Sequence, residues 1–249
     1  MSIRIPTFLF LVVLSLSPSA TYAQEAFHYF TDIFEGTAFR INGKPGSCVV
    51  SSVPGNRVQG DVIRVSDGDT VAVTANGTTL KIRLLSIDTP ETHYNGHSQG
   101  YWGEEASKKM AALLPLGTTV DVELDQERCD HYGRVLGHIF KGNEHINQTM
   151  LEEGLAVNYC IYPNTAYCDT FATVVERSIQ AKKGIYGDKV LEIPYEWRRV
   201  VSNRPYEKYV GNIFTHEVLH PPEVEQVPLA ERVFFFHKGD VEPPYHVVD

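Results

Sequence analysis

The chain has 249 residues, 43% hydrophobic and 21% charged, with 19 glycines and 14 prolines. These proportions suit one large globular domain, or one domain with extensions, and exclude a disordered, collagen-like or coiled-coil chain. A formal charge of −9, from 22 basic and 31 acidic residues, excludes a protein that coats nucleic acid by charge alone.

Residues 1–23 begin Met-Ser-Ile-Arg, run apolar from Ile5 to Leu16 and end on the small residues before Ala23. A positive start, a short apolar core and a small-residue cut are the parts of a secretory signal peptide. The run is shorter than the roughly 20 residues a membrane span needs. The expectation is export to the periplasm or the extracellular medium, with no membrane contact after cleavage. Cys48, Cys129, Cys160 and Cys168 would then meet oxidising surroundings, where four cysteines allow three pairings. Cys160 with Cys168, flanking the turn-prone Pro163-Asn164, is favoured, leaving Cys48 with Cys129. The alternative is four buried, unbonded cysteines.

An aperiodic N-terminal extension covers 24–56. Val58–Val65, Thr70–Thr74 and Thr79–Ile87 alternate in polarity as strands, separated by Ser66-Asp-Gly-Asp69 and by Asn76-Gly77, a favoured hairpin turn. Glu91–Trp102 is polar and aperiodic and reads as a mobile loop. Gly103–Leu114 is a helix stopped by Pro115. Thr118–Leu124 and Arg134–Phe140 alternate again. Asn147 is expected to cap a short helix to Glu153, which Gly154 ends. Phe171–Lys183 is a second amphipathic helix. The sum over 57–190 is an α+β, mainly β domain: a five-stranded barrel of the oligonucleotide/oligosaccharide-binding (OB) kind with about three packed helices. The proline-rich extension 191–249 has little periodicity and is expected to wrap the domain or stay partly loose.

Charged residues interrupt these strands in three places. Asp67-Gly-Asp69-Thr70 lies between the first two strands. Arg83 sits inside the third, and Asp88-Thr-Pro-Glu91-Thr92 ends it. Asp130-His-Tyr-Gly-Arg134 leads into the fifth. An arginine in the run Ile82-Arg-Leu-Leu85 is costly unless its charge is paired or faces a cavity. Asp-Gly-Asp alone reads as a solvated turn; three charged clusters at strand ends of one barrel read as a site.

In these blocks, from about Val58 to Lys183, the sequence resembles the staphylococcal nuclease (thermonuclease) family. Trp102-Gly-Glu-Glu-Ala106, Glu153-Gly-Leu-Ala156 and Pro194-Tyr-Glu-Trp-Arg-Arg199 also look like family segments. The resemblance implies calcium-dependent hydrolysis of phosphodiester bonds in DNA and/or RNA by a monomer, with one Ca²⁺ expected and Mg²⁺ or Mn²⁺ as alternatives. It makes Asp69, Asp88 and the Thr89 carbonyl metal ligands, with Asp67 supporting them through solvent. Glu91 matches the general base, or at least the residue that positions the attacking water. Arg83 and Arg134 match the arginines that hold the phosphate. Tyr132 and Tyr162 match substrate-binding tyrosines; His131 stands where the family has a lysine, and Cys160 where it has a second base-packing tyrosine. An all-oxygen donor set suits a hard cation, and guanidinium forks suit phosphate.

Two other readings compete. A non-catalytic nucleic-acid-binding OB module would share the fold. His216-Glu-Val-Leu-His220 spells H-E-x-x-H, the zinc-metalloprotease pattern, which needs both histidines on one helical turn. Pro221 and Pro222, directly after it, argue against that helix.

Overall fold

Alternation of period two builds the barrel. In the computed structural model, which describes residues 48–248 apart from 51, 52 and 54, strand β1 (Arg57–Val65) buries Val58, Gly60 and Val62 and exposes the residues between. The signal peptide expected at 1–23 and the extension as far as residue 47 lie outside the described residues. β1 pairs antiparallel with β2 (Thr70–Ala75), which turns through Asn76 and Gly77 into β3 (Thr78–Leu84). Both turn residues have positive φ, 50° and 74°, the geometry an Asn-Gly hairpin supplies. β5 (Thr119–Cys129) returns beside β1, and β6 (Val135–Lys141) beside β5. A parallel pairing of β3 with β6, Ile82 opposite Val135, closes the five strands into the OB-type barrel.

The expected third strand, Thr79–Ile87, is two strands. Ser86 has φ 61°, and this left-handed residue swings the chain out of the barrel. Ser86–Asp88 form β4, which pairs antiparallel with β8 (Val157–Ile161). Asp88 is thereby carried to the seam between the barrel and a second sheet.

Helix α1 (Tyr101–Leu113) starts two residues before the expected Gly103 and buries Ala106 and Met110. A two-residue strand, β7 (Glu144–His145), leads into α2 (Ile146–Glu152). Asn147 does not cap α2, because His145 holds the cap position. The Asn147 side chain is buried, accepting from the Ile139 amide at 2.9 Å and donating to the Leu85 carbonyl at 2.8 Å, so it ties α2 to the point where β3 breaks. α3 spans Cys168–Gln180, three residues earlier than expected at each end. The positive φ of Lys182 and Gly184, 52° and 51°, turns the chain before Lys183 can join it.

The C-terminal extension is folded. α4 (Pro194–Val201) begins on its proline, and the chain then adds β9 (Tyr209–Asn212), β10 (Glu217–Leu219), β11 (Arg232–Phe235) and β12 (His246–Val247). With β8 and β4 these make a six-stranded sheet in the order β12-β10-β9-β11-β8-β4. The buried Arg232 fastens it, donating to the Val227 carbonyl and to the Tyr195 hydroxyl of α4 at 2.9 and 2.8 Å. Glu217–Leu219 of the H-E-x-x-H match is strand, with His216 at φ 62° before it and His220 in extended backbone after it. The helical turn that a zinc metalloprotease needs is absent, so that reading falls. Disulfides join Cys48 to Cys129 and Cys160 to Cys168.

Candidate active site

Three strand ends meet where β4 leaves the barrel. The turn Asp67-Gly68-Asp69 enters β2 with Gly68 against Thr89 and α1; a Cβ on Gly68 would lie 2.7 Å from the Thr89 hydroxyl and 2.8 Å from the Ala106 methyl. That approach lets Asp69 Oδ2 accept from the Thr89 amide at 3.0 Å and its hydroxyl at 3.3 Å, while Oδ1 accepts from Thr70 Oγ1 at 3.1 Å. Asp67 Oδ1 accepts from the Asp69 amide at 3.1 Å. The Asp-Gly-Asp turn is therefore packed against its neighbours, with Gly68 and Asp69 buried and Asp67 partly so.

Arg83, at the end of β3, answers the cost of its burial with four oxygens. Nη1 donates to the Leu84 and Ile87 carbonyls at 2.8 and 2.9 Å, bracing the β3–β4 break. Nη2 lies 2.9 Å from Asp88 Oδ1 and 3.3 Å from Asp69 Oδ2. Glu91 follows on the loop after β4. Its amide donates to Gln99 Oε1, its carbonyl accepts from the Gln99 amide, and Gln99 Nε2 donates to the Glu192 carbonyl at 3.1 Å. Gly103 of α1 packs so closely that a Cβ there would come 2.5 Å from the Glu91 carbonyl. Tyr94, on the same loop, meets Ser202 through its hydroxyl at 3.0 Å. The segment expected to be mobile is thus tied to the C-terminal extension at several points.

That extension also supplies a residue the sequence did not single out. Arg198 of α4 reaches the carboxylates, with Nη2 at 2.9 and 2.8 Å from the two oxygens of Asp88 and Nη1 at 2.6 Å from Glu91 Oε1. Arg198 and Arg199 stand side by side in the sequence; the turn of α4 sends Arg198 into the site and Arg199 to Glu196 at 2.9 Å. Only the family-like look of Pro194–Arg199 pointed to this segment at all.

Burial governs the electrostatics. Loss of solvent, reinforced by the charge of Asp69, pushes Asp67 up to about 6. It pushes Glu91 up to about 7 against the pull of Arg198. Asp88, fully shielded from solvent, is also raised by burial, with Arg198 and Arg83 opposing. Burial acts the same way on Asp69, but there Arg83, the Thr89 amide, Arg198 and Arg134 together outweigh it and hold the carboxyl below its ordinary value.

Arg134 acts on Asp69 through its charge, while its Nε donates to Asp130 Oδ2 at 2.6 Å and its guanidinium lies 5.6 Å from the Tyr132 ring centre. Tyr132, 41% exposed, lies against His131 with ring centres 3.7 Å apart and the rings tilted at 42°. Tyr162 faces the extension instead: its ring lies on Phe235 at 5.1 Å and its hydroxyl donates to Glu242 at 3.3 Å. No contact among the described residues joins Tyr132, His131 or Tyr162 to the carboxylates.

Among the described residues no three acidic, histidine or cysteine side chains close around a common point. Asp69, Asp88 and the Thr89 carbonyl are nonetheless an all-oxygen donor set, the chemistry a hard divalent cation takes when water completes its shell. A cation bound there shares Asp88 with Arg83 and Arg198.

A profile of the family described as Staphylococcal nuclease homologue matches residues 81–188. The chain is 33% identical over 127 residues to Thermonuclease of Staphylococcus hyicus, a match covering 51% of this chain and 75% of that protein. It is 30% identical over 157 residues to Micrococcal nuclease of Shigella flexneri, covering 58% and 83%. Similarity to Endonuclease YhcR of Bacillus subtilis (strain 168), 29% over 196 residues, covers 74% of this chain and so extends beyond the residues the profile matches. The chain spans 16% of the length of YhcR, and 45% and 52% of two further Bacillus subtilis endonucleases.

Proposed function

The chain belongs to the staphylococcal nuclease family, and on that premise we propose that it is an exported, calcium-dependent nuclease cleaving phosphodiester bonds of DNA and RNA. One observation carries the reading: Asp69, Asp88 and Glu91 converge with Arg83 where β4 leaves the barrel. Paired charges of both signs, buried together, are what phosphoryl chemistry requires and what a merely structural barrel has no need to bury.

In this reading Asp69, Asp88 and the Thr89 carbonyl hold the cation. When bound, the cation supplies charge that polarises a phosphoryl oxygen. Arg83 and Arg134 hold the substrate phosphate through planar guanidinium forks and stabilise the charge that builds on it. Glu91 orients the attacking water and takes its proton, and a carboxyl raised to about 7 is poised for that at neutral pH. Diester hydrolysis is slow enough unaided that an acceleration worth up to ~23 kcal/mol is asked of such a site. A general base contributes about 3–5 kcal/mol of it, so charge stabilisation carries the larger share. The apolar run from Ile5 to Leu16, the small residues before Ala23 and the two disulfides support export.

The test is hydrolysis of denatured DNA and of RNA by the full chain with Ca²⁺, Mg²⁺ or chelator. Cleavage with Ca²⁺ that chelator abolishes is expected. Binding without cleavage under all three conditions would establish the non-catalytic module instead.

A further inference from the structure

A cavity of about 130 Å³ opens beside the carboxylates, between the Glu91 loop, α4 and the second sheet, and Arg198 forms the wall it shares with them. Tyr94 and Tyr206 line it, and the Arg199 guanidinium lies 3.8 Å over the Tyr206 ring. Its charged lining comprises Arg198, Arg199, Arg204 and Lys208 against Glu196 and Glu207. Arg198 and Arg199 are engaged by carboxylates, but Arg204 and Lys208 form no ion pair among the described residues. In a chain of net charge −9, a concave cationic and aromatic surface next to the hydrolytic centre is a local reversal of the field, and clefts concentrate such fields.

We propose that the C-terminal extension adds a nucleotide subsite to the barrel's centre, holding a nucleotide of the substrate strand that flanks the cut bond. Arg204 and Lys208 take its phosphate, and the Tyr94 and Tyr206 side of the cavity takes its base, the combination by which single strands are held without sequence preference. The subsite rests on the nuclease reading for its substrate but not for its existence. Every cavity residue named lies outside the 81–188 span that matches the family profile, Tyr94 excepted.

The experiment measures binding of a labelled 12-nucleotide single-stranded DNA to the full chain in chelator, by fluorescence anisotropy at several salt concentrations, alongside cleavage with Ca²⁺. Arg204→Ala with Lys208→Ala is expected to weaken binding about tenfold and to reduce the slope of log affinity against log salt by about 1.4, the contribution of two phosphate contacts on a single strand. Lys108→Ala, which removes one charge on α1 outside the cavity lining, should leave both within twofold and 0.3. Arg204→Gln alone, at an exposed position, gives about half the effect should the double variant fail to fold. Unchanged binding and slope in the variants, or an equal loss in Lys108→Ala, overturns the subsite. So does thymidine 5′-phosphate competing as well as the strand, which would make the cavity a free-nucleotide pocket. If the wild type binds the strand but no cation brings about its cleavage, the nuclease reading fails while the variants' loss of binding still supports the subsite.

Discussion

Arg198 holds both carboxylate oxygens of Asp88, at 2.9 and 2.8 Å, from a position 110 residues further along the chain. The same guanidinium takes Glu91, so one side chain of the extension neutralises two acids of the barrel's strand ends.

A cation bound through Asp88 must therefore compete with Arg198 for the same carboxylate. Arg198→Gln is expected to tighten Ca²⁺ binding on the order of tenfold, read by titration calorimetry. In chelator the variant should lose about 2 kcal/mol of stability, because it leaves a buried carboxylate with one guanidinium fewer. Added Ca²⁺ should restore most of that loss. Affinity that stays the same or weakens would show that Arg198 and the ion do not share the site.

Arg83 and Arg134 separate by what else they touch. Arg134→Ala should lower kcat at least about 10²-fold and leave the melting temperature near wild type, since its carboxylate partner, Asp130, is within reach of solvent. Arg83→Ala should lower kcat as much and the melting temperature as well, because Arg83 also braces the Leu84 and Ile87 carbonyls. Wild-type turnover in either variant would remove it from the chemistry.

Glu91 should govern the pH profile. As a base it must be ionised, so kcat/KM should rise with unit slope to about pH 7 and then level, and Glu91→Gln should cost 10²–10⁴-fold. Its stability effect has the opposite sense. The folded chain keeps a proton on Glu91 that the unfolded chain, with its ordinary value of 4.5, releases. That stabilisation is whole below pH 4.5 and is lost as pH rises through 7. Denaturant titrations in chelator should show Glu91→Gln flattening this decline.

A second pH effect lies far from the site. Burial depresses His138 to about 3 and His145 to about 4, from an ordinary 6.5, within a cluster that includes Tyr167 and Phe171. The unfolded chain takes up protons there that the folded chain refuses. Stability is whole above pH 6.5 and falls as pH drops towards 4, by about 2 kcal/mol per pH unit near pH 5. His138→Gln should remove roughly half of that slope, and an unchanged slope would place the acid sensitivity elsewhere.

The two disulfides should differ in weight. Cys48–Cys129 closes a separation of 81 residues and Cys160–Cys168 one of 8. Loop-closure entropy makes the first worth about 4.5 kcal/mol and the second about 2.5. Paired Cys→Ala variants in guanidinium unfolding should preserve that order.

The barrel was legible because its signals are local. Val58 to Val65 alternates in polarity, Asn76-Gly77 makes its turn with two residues, and each strand follows from its own few side chains. Where β3 ends was not legible. Leu85-Ser86-Ile87 continues the alternation of apolar and polar residues, while the left-handed Ser86 begins the strand that pairs with β8. Asn147 misled for a related reason: a capping residue type in a capping place was drawn instead into a buried polar tie from its helix to β6 and to the break between β3 and β4.

Composition, turn chemistry and strand-end charges thus determined the α+β barrel and the positions worth examining, since each is read within a few residues of itself. Tertiary structure alone decided that the extension is a sheet and that Arg198 belongs to the site. Strands of two to four residues such as β9, β10 and β12 carry too little period to be read, and they form because β8 offers an edge to β11, on which β9, β10 and β12 then add in turn. A guanidinium 110 residues from its carboxylate is placed by that sheet's packing, and no local pattern records it.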